Sequence, residues 1–398
     1  MSAVSTQPLR DLCTFKHGGT PSKSNPSFWE GDIPWVSPKD MKQVVIDSAT
    51  DHISAEAVEN SATSIVPPGS ILVVVRSGIL AHSFPIAQVA KPVAFNQDIK
   101  AVIPVSSGVV PDYLYWFLRS QSLNVVMRGV KKGATVHSVQ SGFIENLMVP
   151  MHPREEQRRI VDLLARAEGI ARLRREAQQK ADELIPAIFI DMFGEPATNP
   201  RGWPIRPLSE VAEVISGVAK GRKFADGEGI DVPYMRVANV KDGYLDLSEV
   251  KSIEIKRSEV EKLLIRPGDL LMTEGGDPDK LGRAALWSGE LEGCVHQNHV
   301  FKVRANRTRV LPMYLRSLAG SAYGKAYFLS VAKKTTGIAS INKTQLSAFP
   351  VLVPLLKYQA QFEERARAVE AVSGQQADAQ AKASAVFAAL LAHSFRGA

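Results

Sequence analysis

Cysteine is almost absent from this sequence, since only Cys13 and Cys294 occur in 398 residues. Neither has a second cysteine or a histidine at metal-ligand spacing, which excludes a disulfide framework and a cysteine-based zinc site. Long apolar runs are also missing: no stretch reaches the length of a membrane span, and the N-terminus has no signal-peptide core. We therefore expect a soluble, cytoplasmic protein with no membrane partner.

Motifs of catalysis are equally scarce. The sequence has no Gly-x-x-x-x-Gly-Lys-Ser/Thr phosphate loop, no Gly-x-Gly-x-x-Gly after a strand and no Asn/Asp-Pro-Pro-aromatic motif of amino-methyltransferases. Glu254 and Lys256, with Asp246 upstream, match the tail of a nuclease-like acidic pattern, but the first half of the chain has no counterpart. A stand-alone metal-dependent nuclease stays open as an alternative. We nevertheless predict no catalytic residue, no metal site and no cofactor in this chain.

The dominant feature of the sequence is an internal repeat, in which short motifs recur in the same order in both halves. Three pairs share an offset of 199 residues: PLRDL (8–12) and PLSEV (207–211), IPWV (33–36) and VPYM (232–235), PGSIL (68–72) and PGDLL (267–271). The offset then grows to 200 between Gln97 and Gln297, to 201 between Tyr113 and Tyr314, and to 202 between Lys131 and Lys333. A drift that never reverses is typical of a duplication with small loop insertions.

Each copy has a globular part and a helical part. The first mixes short apolar runs with Gly and Pro, and the second is rich in Ala, Leu, Arg, Glu and Gln, which are good helix formers. The predicted boundaries are 1–150 and 196–353 for two globular domains, and 151–195 and 354–398 for two long helices. We predict an α+β fold with an internal pseudo-twofold repeat, in which mixed α/β domains are joined by helices that form an antiparallel coiled coil.

The apolar positions of both helices alternate steps of three and four, which is the spacing of a narrow seam against another helix. The predicted interface residues are Ile160, Leu163, Ile170, Arg174 and Leu184 in the first helix, and Phe362, Val369, Val372, Gln376 and Val386 in the second. Arg174 and Gln376 place a polar residue near the middle of each seam. The alternative is that each helix packs only on its own domain.

The charge balance permits a nucleic-acid partner, because 48 Lys and Arg against 41 Asp and Glu give a net charge of +7. Basic and hydroxyl side chains that suit phosphates, and amides that pair with adenine edges, recur in loops of both copies. The predicted DNA-binding residues are Thr20, Lys23, Arg76, Asn96, Gln97, Lys131, Lys132, His137, Arg222, Lys223, Arg236, His296, Asn298, Lys333 and Lys334. An interaction scaffold whose basic loops only confer solubility is the alternative.

The order of these motifs resembles the specificity subunit of type I restriction-modification systems. The resemblance rests on GGTP (18–21), IPWV (33–36) with Asp40, PGSIL (68–72), Asn96-Gln97, Tyr113-Leu114 and PREEQRRI (153–160), and it spans nearly the whole chain. The last of these is similar to the Pro-x-x-Glu-Gln-x-x-Ile signature at the start of the family's helix. The second copy departs from it, since Leu355 and Tyr358 replace Pro153 and Glu156 and only Gln359 is kept.

The resemblance implies a non-catalytic subunit of a bacterial or archaeal complex. Each globular part would be a target-recognition domain that reads one half of a bipartite, asymmetric site in double-stranded DNA. The helices would set the spacer and dock two methyltransferase subunits, with restriction subunits completing the complex. S-adenosylmethionine, ATP and Mg are expected in those partner subunits. Two copies related by a twofold axis would match the local symmetry of duplex DNA.

Overall fold

The structure, a computed structural model, describes residues 4–221, 228–277, 280–335 and 337–396. The chain divides into two compact units, of which unit 1 comprises Met1–Arg175 with Ala379–Ala398 and unit 2 comprises Glu176–Asp378. Each unit therefore contains one globular half of the sequence together with a segment of each long helix.

The helices of unit 1 are short except for the first long helix, which continues into unit 2. They are α1 Leu9–Leu12, α2 Ala55–Glu59, α3 Pro111–Ser120, α4 Ser122–Asn124 and α5 Arg154–Phe193. The remaining helices are α6 Leu208–Val211, α7 Val260–Leu263, α8 Pro312–Gly320, α9 Ala322–Val331, α10 Lys343–Ser347 and α11 Leu356–Ser394. The two long helices lie inside the segments 151–195 and 354–398.

The strands are short in both units. Those of unit 1 are β1 Thr6–Pro8, β2 Cys13–His17, β3 Ile33–Val36, β4 Val45–Ile46, β5 Asp51–Ile53, β6 Ser64–Val66, β7 Ile71–Val74, β8 Arg76–Ser77, β9 Ile86–Val89, β10 Val93–Phe95, β11 Ile99–Pro104, β12 Val130–Lys131, β13 His137–Val139 and β14 Met148–Pro150. Those of unit 2 are β15 Ile205–Pro207, β16 Ala212–Ser216, β17 Gly229–Met235, β18 Lys251–Lys256, β19 Leu270–Thr273, β20 Gly275–Gly276, β21 Ala284–Leu286, β22 Val295–His296, β23 Val300–Ala305, β24 Lys333–Thr335, β25 Ile338–Ser340 and β26 Pro350–Leu352.

The sheets of the two units repeat one topology. Strand orders β1-β14, β2-β11-β7-β9, β5-β3-β10 and β8-β13-β12 in unit 1 correspond to β15-β26, β16-β23-β19-β21, β18-β17-β22 and β20-β25-β24 in unit 2. Unit 1 adds β4 and β6 at sheet edges. The internal repeat predicted from the sequence is therefore confirmed in the strand pairing, and the fold is a mixture of helix and strand.

A close backbone approach explains why glycine recurs at the first loop of each copy. A Cβ atom on Gly18 would overlap the carbonyl oxygen of Phe95, and one on Gly217 would overlap that of His296. In both units the next residue donates a backbone hydrogen bond to the same carbonyl, from Gly19 at 3.0 Å and from Val218 at 2.9 Å. Only a residue without a side chain lets the loop lie this close to the strand.

The same backbone contacts correct one pairing drawn from the sequence. The N–H of Asn96 donates to the carbonyl of Val36 at 3.0 Å, and the N–H of Gln297 donates to that of Met235 at 2.9 Å. Gln297 is thus the counterpart of Asn96, and Asn298 is the counterpart of Gln97. The match of Gln97 to Gln297 is wrong. It was drawn from the identical residue type, whereas the true correspondence is defined by the backbone hydrogen bonds, which the sequence does not show.

Each unit completes its hydrophobic core with the C-terminal end of a long helix. In unit 1, Phe395 packs against buried Tyr113 of α3 with ring centroids 5.1 Å apart. In unit 2, Phe193 packs against buried Tyr314 of α8 at 4.8 Å. Aromatic rings of this size contribute much of a small core's buried apolar area, so the helix ends are integral to both units.

Within unit 2 the long helices pack side by side and run in opposite directions. Gln178 donates to Ser373 at 2.8 Å, and further along α5 the ring of Phe189 lies 5.5 Å from that of Phe362. As residue numbers rise in α5, those of its contacts in α11 fall, which is the antiparallel arrangement. Ile160 in unit 1 and Phe362 in unit 2 are buried as the predicted seam requires.

The predicted seam is otherwise displaced on the helix surface. The positions predicted inside it that are exposed are Leu163, Ile170, Leu184, Val372 and Val386. The buried row of α5 contains Leu164 and Ala171 instead, one residue further along, and also Ala181. As seam positions these five predictions are wrong, because α5 and α11 carry apolar residues on more than one row and periodicity alone does not select the inner row.

The polar pair of the predicted seam is divided between the units. Arg174 belongs to unit 1 and is exposed, whereas Gln376 belongs to unit 2 and is half-buried, as is Val369. Their mutual contact stays a prediction.

Candidate nucleic-acid interface

A small sheet in unit 1 brings together cationic residues that are distant in the sequence. Central strand β13 pairs with β8 and β12, so that Ser138 lies opposite Arg76 on one side and Lys131 on the other. His137 belongs to the same strand, and Lys132 follows β12. The two lysines are exposed, and 62% of the Arg76 side chain is accessible to solvent. Four predicted DNA-binding residues therefore lie in or directly beside one small sheet.

The turn 96–98 lies against this sheet and supplies an amide. Backbone N–H groups of Val75 and Arg76 donate to the carbonyl of Asp98 at 2.8 and 3.2 Å. Gln97 at the turn is exposed, and its Oε1 accepts a hydrogen bond from the Thr20 hydroxyl. We call β8, β13, β12 and turn 96–98 the charged sheet of unit 1.

Asn96 is not available to DNA in this arrangement. Its side chain is buried, its Oδ1 accepts from the N–H of Asp98 at 3.1 Å, and its Nδ2 donates to the Asp98 carboxylate at 3.2 Å. These bonds shape the turn, which is a common use of Asn. The prediction that Asn96 reads a base is therefore wrong, whereas Gln97 is presented by the turn that Asn96 forms.

Unit 2 builds the corresponding surface with different side chains. Ser340 of central strand β25 lies opposite Gly275 of β20 and Lys333 of β24, and Lys334 follows in β24. Both lysines are exposed and Asn298 is partly exposed. We call β20, β25, β24 and turn 297–299 the charged sheet of unit 2. Its lysine pair matches that of unit 1, but Gly275 stands where unit 1 has Arg76.

His296 lies in the core and not on this surface. Its side chain is fully buried at the counterpart of Phe95, and Nδ1 is 2.6 Å from the carbonyl of Val300. Burial lowers the pKa of the His296 imidazole to about 4, so the ring is neutral at physiological pH. The prediction that His296 contacts DNA is therefore wrong. Side chains of a strand point alternately to its two faces, and the sequence of this short strand does not indicate which face lies in the core.

Arg236 is held by its own loop. Its Nη2 donates to the carbonyl and the carboxylate of Glu249 at 2.9 and 3.0 Å, and only 17% of its side chain is exposed. The hydrogen bond from Arg236 is the largest cause that lowers the pKa of the Glu249 carboxyl, followed by that from Lys251. The geometry therefore assigns Arg236 to loop structure and not to a DNA contact.

The remaining candidates lie in the first loop of each unit. Lys23 is exposed and lies three residues after Thr20 in the chain. Arg222 and Lys223 lie outside the described residues.

The structure adds two residues that the sequence analysis missed. Nδ1 of His299 lies 2.7 Å from the carboxylate of Glu274, at the edge of the charged sheet of unit 2. Glu274 directly follows β19, at the same strand end that carries Val75 and Arg76 in unit 1. The position of Glu274 at the end of a strand could have indicated this residue from the sequence. His299 is recognised as its partner only in the folded structure.

Other kinds of site find no support in the described part of the chain. No three His, Cys, Asp or Glu side chains there are grouped so that they could hold a metal ion, and this includes the surroundings of Glu254. The described helices include none that is long and apolar enough to cross a membrane.

Comparison with known proteins finds a family model that matches the N-terminal part of the chain. Residues 1–181 match the family model of the type I restriction modification DNA specificity domain. The N-terminal part of this chain is thus similar to that domain family. The matched segment contains the whole globular half of unit 1, including its charged sheet.

Relatives from bacteria and archaea support the same family. The chain is 40% identical over 162 residues to the type I restriction enzyme EcoR124I/EcoR124II specificity subunit of Escherichia coli, covering 40% of each protein. It is 24% identical over 303 residues to the type I restriction enzyme MjaIX specificity subunit of Methanocaldococcus jannaschii, covering 70% of this chain and 67% of that one. The aligned part thus spans 40% of the length of the first of these relatives.

Solved structures share the fold along the full chain. The S subunit of a type I restriction-modification system from M. genitalium superimposes with a TM-score of 0.58 at 11% identity, covering 100% of this chain and 98% of that one. A chain from a structure concerned with complex assembly and conformational transition of the type I R-M system gives 0.57 at 18% identity, with the same coverage. At these identities the likeness establishes a common fold.

Proposed function

We propose that this chain is the non-catalytic DNA specificity subunit of a type I restriction-modification complex. Each unit reads one half of a bipartite site in double-stranded DNA. The observation that carries this proposal is the repeated charged sheet: one backbone arrangement occurs in both units, with a shared lysine pair and different neighbouring side chains. Shared lysines suit the phosphates common to all DNA, and different neighbours suit two different half-sites.

The long helices supply the spacing and the docking surface in this proposal. They pair as an antiparallel coiled coil that holds the two reading units at a set separation. The exposed apolar residues Leu163, Ile170 and Leu184 on α5, with Val372 and Val386 on α11, suit contact with two methyltransferase subunits. Those subunits carry S-adenosylmethionine and methylate adenine after flipping it out of the duplex. Restriction subunits supply ATP- and Mg-dependent chemistry, and the complex acts in the cytoplasm.

A domain exchange tests the division of labour. Residues 8–150 are replaced by the equivalent segment of a relative, and the methylated motif of a host that carries the complex is determined by methylome sequencing. We expect one half-site to change while the other half-site and the spacer are kept. The reciprocal exchange of 207–353 is the matched control and should change only the other half. A change of both half-sites in either exchange would contradict the modular reading.

A further inference from the structure

The two charged sheets share their backbone hydrogen bonds around one strand end. In unit 1, Val75 donates to Asp98 at 2.8 Å and accepts from Val139 at 2.8 Å. In unit 2, Glu274 donates to His299 at 3.0 Å and accepts from Ile341 at 2.8 Å. Glu274 is therefore the counterpart of Val75, and His299 is the counterpart of Asp98, so side chains at these positions can be compared directly.

The side chains at this place carry opposite charge patterns. In unit 1 a guanidinium extends from the strand: Arg76 Nε lies 4.0 Å from the Asp98 carboxylate, at the limit of an ion pair. In unit 2 the strand carries a carboxylate, since Glu274 is 28% exposed and holds a hydrogen bond of 2.7 Å to His299, which is 56% exposed. At this strand end unit 1 thus carries Arg76 where unit 2 has Gly275, and unit 2 carries Glu274 where unit 1 has Val75.

A carboxylate on this surface needs a specific partner. Glu274 directly precedes β20, whose sheet contains Lys333 and Lys334. These lysines suit phosphates, and a carboxylate is repelled by the same phosphates. A carboxylate only accepts hydrogen bonds. In the DNA grooves its match is an exocyclic amino group, of which cytosine N4 is the usual partner of Glu.

We propose that Glu274 reads the N4 amino group of a cytosine in the half-site of unit 2, and that Arg76 reads the O6 and N7 acceptors of a guanine in the half-site of unit 1. The inference rests on the proposed function and assigns a base class to one position of each half-site. His299 is a positioning residue: because the Glu274 carboxylate accepts, Nδ1 of His299 donates, and this bond orients the carboxylate.

The test selects binding sites for the full-length chain from a random duplex DNA library. The wild-type chain is expected to enrich a bipartite motif with cytosine at one position of one half-site and guanine at one position of the other. Glu274→Gln keeps the size of the side chain but can pair bidentately with N6 and N7 of adenine. We expect it to lose preference for that cytosine by roughly tenfold or more and to shift toward adenine at that position alone.

Two further variants sharpen the result. Arg76→Lys should weaken discrimination of one guanine in the opposite half-site, because lysine lacks the rigid fork of arginine. Glu261→Gln is the matched control: Glu261 is an exposed glutamate of unit 2 in an ion pair with Arg266, outside the charged sheet. It should leave both half-sites unchanged.

The outcomes separate the two levels of inference. Failure of the wild-type chain to enrich any motif would count against the proposed function itself. A wild-type motif that Glu274→Gln leaves unaltered would overturn the assignment of Glu274 alone. An equal loss of affinity for all sequences in that variant would also overturn it, because the residue would then act on the surface as a whole. His299→Gln should weaken the preference for that cytosine, because it removes the bond that orients the Glu274 carboxylate. An undiminished cytosine preference in this variant would contradict the positioning role of His299.

Discussion

Gln157 and Gln359 make the same three hydrogen bonds, one at the start of each long helix. Oε1 of Gln157 accepts from the backbone N–H of Val110 at 2.8 Å, and Nε2 donates to the carbonyls of Gly108 and His152 at 3.0 and 2.8 Å. The residue is fully buried in unit 1. It therefore joins the first turn of α5 to the loop before α3.

Gln359 repeats this arrangement in unit 2. It accepts from Leu311 at 2.8 Å and donates to the carbonyls of Arg309 and Pro354 at 3.1 and 2.7 Å, again with no exposed surface. This explains why glutamine survives in a segment where the surrounding motif has changed. In each unit, three backbone groups depend on one buried side chain.

Gln157→Leu is expected to destabilise unit 1 by about 2–4 kcal/mol, because it removes three hydrogen bonds of a fully buried side chain to one backbone N–H and two carbonyls. Hydrogen exchange measured by mass spectrometry should show faster exchange in peptides of unit 1 and unchanged exchange in unit 2. This local readout suits a chain whose units need not unfold together. Gln179→Leu, at an exposed position of α5, is the control and should have little effect. Equal protection in both variants would show that the bonds contribute nothing.

Lys131→Ala with Lys132→Ala is expected to weaken DNA binding to a similar degree on all sequences. If these lysines contact phosphates, the salt dependence of the binding constant should become shallower by up to about two counterions. The measurement is affinity for specific and random duplexes over a salt series. Lys251→Ala with Lys256→Ala is the control, because it removes the same charge. Both lysines already form ion pairs with glutamates, at 3.2 and 3.3 Å, so the loss of DNA affinity should be smaller. Lost discrimination at one base with an unchanged slope would make Lys131 and Lys132 base readers.

Unit 2 is expected to lose stability in mild acid through His296. Burial lowers the pKa of this imidazole from an ordinary 6.5 to about 4. The unfolded chain therefore binds more protons between these values, so stability is complete above about pH 6.5 and falls by about 3 kcal/mol as the pH drops to 4. His296→Phe, which installs the residue found at the counterpart Phe95, should flatten this dependence. Denaturation midpoints over pH 4–8 measure it, and an unaltered slope would assign the acid sensitivity to other groups.

An insertion of four residues next to Ala177 tests whether the helices act as a ruler. It lengthens α5 by about 6 Å and rotates the following segment by only about one-tenth of a turn. We expect a folded protein that recognises the same half-sites across a longer spacer, by roughly the length of two base-pair steps. Methylome sequencing of a host with the variant complex gives the spacer. An unchanged spacer in an active variant would rule out the ruler.

The sequence predicted those features that repeat or recur with a period. The duplicated order of motifs anticipated the duplicated topology, and the lysine pairs at 131–132 and 333–334 fall on equivalent strands. The sequence did not reveal that Arg76 lies in the same sheet as Lys131. Strands β8 and β12 have two residues each and lie more than fifty positions apart, so no local pattern connects them.

The sequence by itself determined that the protein is an internal duplication with two long helices, because repetition and helix-forming composition are properties of the chain. Only the tertiary structure decided which side chains are available for function. It placed Leu164 inward and Leu163 outward on α5, withdrew His296 into the core and Arg236 into its loop, and brought Glu274 to His299. Burial and pairing depend on contacts between distant segments, and these contacts come into existence only when the sheets have formed.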